Sequence, residues 1–99
     1  MNELQRKYQY TAPSIDTPYC PFCGRKATNR HHIVFRSQGG TDGATVNVCG
    51  IGNMSGCHKK LHEYRIHLRY IDDHWEYIEF ENPTKFEKAL EMEGWQWLR

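Results

Sequence analysis

A small α+β fold is what the sequence predicts, on three observations. Two short β-branched runs, "HHIVFR" at residues 31–36 and "ATVNVCG" at 44–50, precede a run with helical spacing, "CHKKLHEYRIHL" at 57–68. An alternating segment, "LRYIDDHWEYIEFE", carries a turn at Asp72-Asp73 and leads into a second helical stretch. Four cysteines, Cys20, Cys23, Cys49 and Cys57, lie within residues 20–57 of a chain that is only 38% hydrophobic. With 99 residues there is room for one domain and one thin core. Such a core needs a staple, which clustered thiols provide as metal ligands or disulfides.

Residues 1–18 are polar, contain Pro13 and Pro18, and read as an N-terminal arm with a short helix over 2–8. "YCPFCGRKA" is a tight turn: Pro21 fixes one φ angle and Gly24 supplies permissive backbone after Cys23. "HHIVFR" is read as the first strand, "SQGGTDG" as a loop, and "ATVNVCG" as a second, antiparallel strand. "IGNMSG" is another loop before the helix at 57–68. The hairpin follows, and a last helix starts near Pro83 or Thr84 and stops at Gly94. The expected division is an arm at 1–18, a core at 19–66, and a hairpin and helix at 67–99 packing on it. The aromatic run Tyr64, Tyr70, Trp75, Tyr77, Phe80, Phe86, Trp95 and Trp97 is read as core packing.

No leader pattern and no long apolar run is present, so a cytoplasmic setting is expected. There thiols stay reduced and clustered cysteines hold metal. Net charge is +1, unevenly spread. Residues 1–62 carry eight basic groups against three acidic ones, a balance of +5, and residues 63–99 carry five against nine, a balance of −4. The basic half also holds the metal-type residues, which suits a polyanionic partner.

Cys20-Pro21-Phe22-Cys23 has the C-x2-C spacing that aims two thiolates at one tetrahedral zinc. No hydrophobic strand precedes it and no helix starts at Cys23, which argues against a redox turn. Cys49 and Cys57 are further apart than a usual second knuckle, but Gly50, Gly52 and Gly56 let the loop fold back. Closure by four cysteines leaves no open position, so this zinc is structural. It contributes on the order of 10 kcal/mol of folding free energy.

His31, His32, His58 and His62 form a separate set. His58 and His62 project from one helix face a turn apart, which is ligand spacing. Neighbouring Cys57 and His58 point about 100° apart, so one helix start can serve two sites. In a regular strand His31 and His32 face opposite ways, so a pair serving one site sits where the strand ends or bends. One imidazole joins His58 and His62 on a divalent cation (Mg²⁺, Mn²⁺, Ni²⁺ or Zn²⁺), and the other stays free to take a proton from water. Arg30, Arg36, Ser37, Gln38, Lys59 and Lys60 are candidates to hold flanking phosphates.

Together, "CPFC", "HHIVFRSQGG", Asn47 and "CGIGNMSGCHKKLH" resemble small phage-type endonucleases of the HNH family, in the ββα-metal form with a four-cysteine zinc. The resemblance covers residues 20–62. It implies hydrolysis of DNA phosphodiester bonds with low sequence specificity, by nicking or double-strand cutting. By the same resemblance His31, His58 and His62 ligate the catalytic metal, His32 is the general base, and Asn47 braces the loop that orients it. Asn47 lies nearer the third cysteine than in similar sequences, and Asn53 is a weaker stand-in for it. Phage terminase subunits are the partners the resemblance implies. The rival expectations are a non-catalytic zinc module binding nucleic acid or protein, and an adaptor docking a protein through its acidic half.

Overall fold

The computed structural model describes residues 2–98, except for the side chain of Asn53, which lies outside the described residues. Helix α1, Glu3–Gln5, runs into a wider π-type turn at Arg6–Tyr10. Asn2 Oδ1 accepts from the Gln5 amide and Gln5 Oε1 accepts from the Asn2 amide, a reciprocal cap that starts the helix. The arm is pinned along its length. Gln9 is buried and donates to the Leu68 carbonyl at 2.7 Å, and the Trp75 indole donates to the Pro13 carbonyl at 2.9 Å. Ile15 is buried and bridges in parallel to Val46.

Strands β1, Asn29–His32, and β2, Thr45–Val48, form an antiparallel pair, with Asn29 opposite Val48 and His32 opposite Thr45. The first strand was expected at 31–36; it begins earlier and ends at His32. Beyond it the Gln38 and Gly40 amides both donate to the Phe35 carbonyl, which turns the chain through a 3-10 segment at Arg36–Gln38.

Helix α2 spans Gly56–His62 and stops well short of residue 68. Tyr64 adopts a left-handed conformation, φ 59°, and the next residues pair as β3, Ile66–Ile71, with β4, His74–Glu79. Pairing thus outweighs the helical spacing of Tyr64 and Leu68. The hairpin turns at Asp72 and Asp73, both with positive φ (52° and 64°), as a two-residue turn requires. Helix α3, Phe86–Glu91, begins slightly later than expected, and its chain returns as β5, Gln96–Trp97, against β4. That strand was not foreseen. It leaves Trp97 67% exposed rather than in the core.

The core joins both sheets through Val46, Val48, Leu61, Ile66, Leu68 and Trp75, and three of the cysteines, Cys20, Cys49 and Cys57, belong to its wall. Among the described residues no helix is long and apolar enough to cross a membrane.

Candidate metal centre

The sulfur ligands come from two turns. In the first, the Gly24 amide donates to the Cys20 carbonyl at 2.9 Å, curling residues 20–24 so that both thiols lie beside those of Cys49 and Cys57. In the second, the chain from Cys49 to Cys57 is pinched shut by two glycines with positive φ, Gly50 at 131° and Gly56 at 66°. A Cβ on Gly56 would sit 2.8 Å from the Gly50 Cα, and one on Gly50 would collide with the Ser55 carbonyl. This contact lets a long gap close as tightly as a short knuckle.

All four sulfurs lie within 4.8 Å of one another, with Cys23 Sγ 3.4 Å from Cys49 Sγ. A tetrahedral zinc with bonds of about 2.3 Å needs sulfurs ~3.8 Å apart, so the cluster fits such an ion. The Cys57 amide also donates to Cys49 Sγ at 3.3 Å. All four are free thiols, and Cys20, Cys49 and Cys57 are buried while Cys23 is exposed. A hydrogen bond from Cys57 draws the Cys20 thiol down to about 4, and the same bond pushes the Cys57 thiol up. Burial pushes Cys23 up as well. A cluster that shares protons in this way can bind a metal such as zinc by releasing them.

On the other side of the Cys57–His58 bond, the nitrogens of His31, His58 and His62 also lie within 4.8 Å of one another. His58 and His62 face each other Nε2 to Nε2 at 3.2 Å, the spacing of two imidazoles on one tetrahedral ion (about 3.3 Å). His31 is 4% exposed, and its ring centre lies 5.2 Å from that of His58 and 4.9 Å from that of His62. Burial, reinforced by the neighbouring His58, His62 and His32, holds His31 down to about 3. Burial also lowers His58, aided by His62, and lowers His62 alone. All three rings are therefore neutral near pH 7, with lone pairs available to a cation. His58 Nδ1 is buried with no hydrogen-bond partner among the described residues, although the Gly52 backbone acts on the ring to favour protonation.

These rings open on a cleft of about 450 Å³ whose lining includes His32, Arg30, Arg36 and Ser37. His32 is the last residue of β1, which explains how adjacent histidines reach one cleft. Arg30 meets Asp16 at 3.8 Å, and both are largely exposed. Such a contact is worth about 0–1 kcal/mol and leaves the guanidinium available.

Other expected residues lie elsewhere. Asn47 is opposite Arg30 in the sheet, but its amide is committed to Asp16 Oδ1 at 2.8 Å and the Thr17 carbonyl at 3.2 Å, outside the cleft lining. It holds the arm to β2 rather than a loop at the cleft. Gln38 turns away to accept from Gln5 Nε2 at 2.9 Å. Lys59 and Lys60 line the thiol side of α2, with Lys60 paired to Glu79 at 2.6 Å. They point away from the cleft because α2 presents the face bearing His58 and His62 to it. The other histidines have other surroundings: His67 is buried against the Tyr64 and Thr84 carbonyls, and His74 pairs with Glu76.

Phe35 is a site residue that the sequence reading passed over. Its ring stacks on His62 at 5.0 Å and meets His31 edge-on at 5.5 Å, closing one wall of the cluster. Its position four residues after His31, past the strand end, was the available signal. No family model, curated protein or solved structure matches the chain.

Proposed function

We propose that the protein is a metal-dependent DNA endonuclease of the HNH type. One observation carries the reading: three neutral imidazoles converge on a point at the wall of an open cleft, and a fourth, His32, lines the same cleft outside the cluster. A closed structural site has no use for that fourth ring. His31, His58 and His62 would hold the divalent cation, which supplies positive charge at the scissile phosphate and its leaving oxygen. His32 takes the proton of the attacking water. Arg30, Arg36 and Ser37 hold the flanking phosphates. Asn47 contributes at a distance, by tying the arm to the strand that pairs with β1.

In this reading the four thiols hold a structural zinc, and the two ions divide at the Cys57–His58 bond. A place beside phage terminase subunits in DNA packaging, in the cytoplasm of a bacterial host, rests on the sequence resemblance alone.

Supercoiled plasmid incubated with Mg²⁺, Mn²⁺, Ni²⁺ or Zn²⁺ tests the assignment. Wild type is expected to nick it in at least one of these metals, while His32→Ala loses the activity and keeps its metals. Undiminished cutting by His32→Ala removes that ring as the base. Failure of wild type to cut in any metal favours the non-catalytic zinc module instead.

A further inference from the structure

A second groove, of about 680 Å³, runs between the cysteine turn and the β4–β5 edge, away from the imidazoles. Its apolar walls are aromatic apart from Pro21: Tyr19, Phe22, Tyr77 and Trp97 line it, and among the described residues no Leu, Ile, Val or Met does. Phe22 and Tyr77 meet edge to face at 5.3 Å. Tyr19 is 61% exposed and Trp97 67%. The Trp97 ring is backed on one side by His74, stacked at 3.6 Å and 11°. His74 is itself held by Glu76 at 2.9 Å and the Asp72 carbonyl at 3.2 Å. An exposed indole fixed from behind is a preorganised flat surface, and its ordering cost is already met.

Charge runs alongside. Tyr19 bridges to Lys26, and both Lys26 and Arg25 are exposed. One chain of contacts links the groove to the imidazole cleft. Thr17, on its wall, accepts from Asn47, which lies opposite Arg30 of the cleft. Exposed aromatic platforms flanked by cations bind unpaired bases.

We propose that this groove binds single-stranded DNA, stacking unpaired bases on Trp97 and Tyr19, so that cutting falls beside an unpaired strand. The role in cutting rests on the nuclease reading; the binding does not.

The test measures binding and nicking separately. Oligo-dT of about ten nucleotides, a length within the usual range for such sites, is titrated into the His32→Ala protein while tryptophan fluorescence is followed. The expected result is quenching, with oligo-dT bound at least tenfold more tightly than a duplex of equal length. Trp97→Ala is expected to weaken oligo-dT about tenfold and leave the duplex unaffected, and Trp97→Phe to retain most of the affinity. Equal affinity for the two DNAs, or an unchanged Trp97→Ala, overturns the proposal. So does a concentration-dependent dimer that Trp97→Ala abolishes, which assigns the groove to a second copy. Oligo-dT bound through Trp97 by a protein that cuts no plasmid keeps the groove and discards the nuclease. Plasmid nicking without oligo-dT binding does the reverse.

Discussion

The thiol cluster and the imidazole cluster share one helix start but differ in closure. Three of the four thiols are walled in by core residues, and the donor set is complete for a tetrahedral ion. The imidazole set has one ligand fewer and faces an open cleft with a free ring and two arginines. Helical geometry makes this possible. Cys57 and His58, adjacent in sequence, point about a quarter-turn apart, so α2 turns one toward the buried thiol cluster and the other toward the imidazoles at the open cleft.

The largest effect that would break the contrast is on folding. Cys57→Ser removes a core-wall ligand, and the loss of zinc on the order of 10 kcal/mol exceeds or matches the whole stability of a small domain. Circular dichroism is expected to show no cooperative melt, and bound zinc to fall. A folded, zinc-free variant would mean the thiols are not a staple.

On the open side the expected loss is in rate and not in folding. His32→Ala should slow nicking by roughly 10²–10⁴-fold at an unchanged melting temperature. His58→Ala should remove one bound metal and leave the zinc of the thiols in place, as read by elemental analysis.

Acid sharpens the comparison further. The folded pKa of His31, about 3, lies below its ordinary value of 6.5, so between these limits the unfolded chain binds more protons than the folded one. Stability therefore rises with pH across that window and is lost as pH falls below 6.5, by up to about 1.4 kcal/mol per unit for this one group. Melting temperatures between about pH 6.5 and about pH 4 should fall less steeply in His31→Gln than in wild type. Equal slopes would deny His31 its buried, neutral state.

The smallest expected effect separates the two faces of α2. Arg36→Ala, in the cleft, should reduce the salt dependence of DNA binding by a slope of about one. Lys59→Ala, on the thiol side, should leave it unchanged.

What could be read from sequence follows how local the signal is. C-x2-C and the i,i+4 histidines are fixed within one turn of backbone, and the structure brings each set together. The Asp72-Asp73 turn was equally legible, because few residues other than glycine, asparagine and aspartate tolerate positive φ at both positions. Signals that depend on partners distant in sequence failed. The end of α2 is decided by the pairing of Ile66 with Glu79, and the exposure of Trp97 by a strand that returns only after α3. The direction of Lys59 and Lys60 follows from α2 turning His58 and His62 toward His31, and that of Gln38 from a partner in α1. Spacing along the chain carries none of this.

The contact between Gly50 and Gly56 joins the two ends of a surface loop at its base. Within the loop Ser55 Oγ accepts from the Ile51 amide, and Ile51 and Met54 sit outside the fold, largely solvated. Entropy rises only slowly with the length of a loop already closed at its neck. The tip of the segment is therefore a natural port: a foreign peptide spliced between residues 53 and 54 would hang from the glycine clasp while Gly52, beside His58, and Ser55, at the start of α2, stayed in the chain.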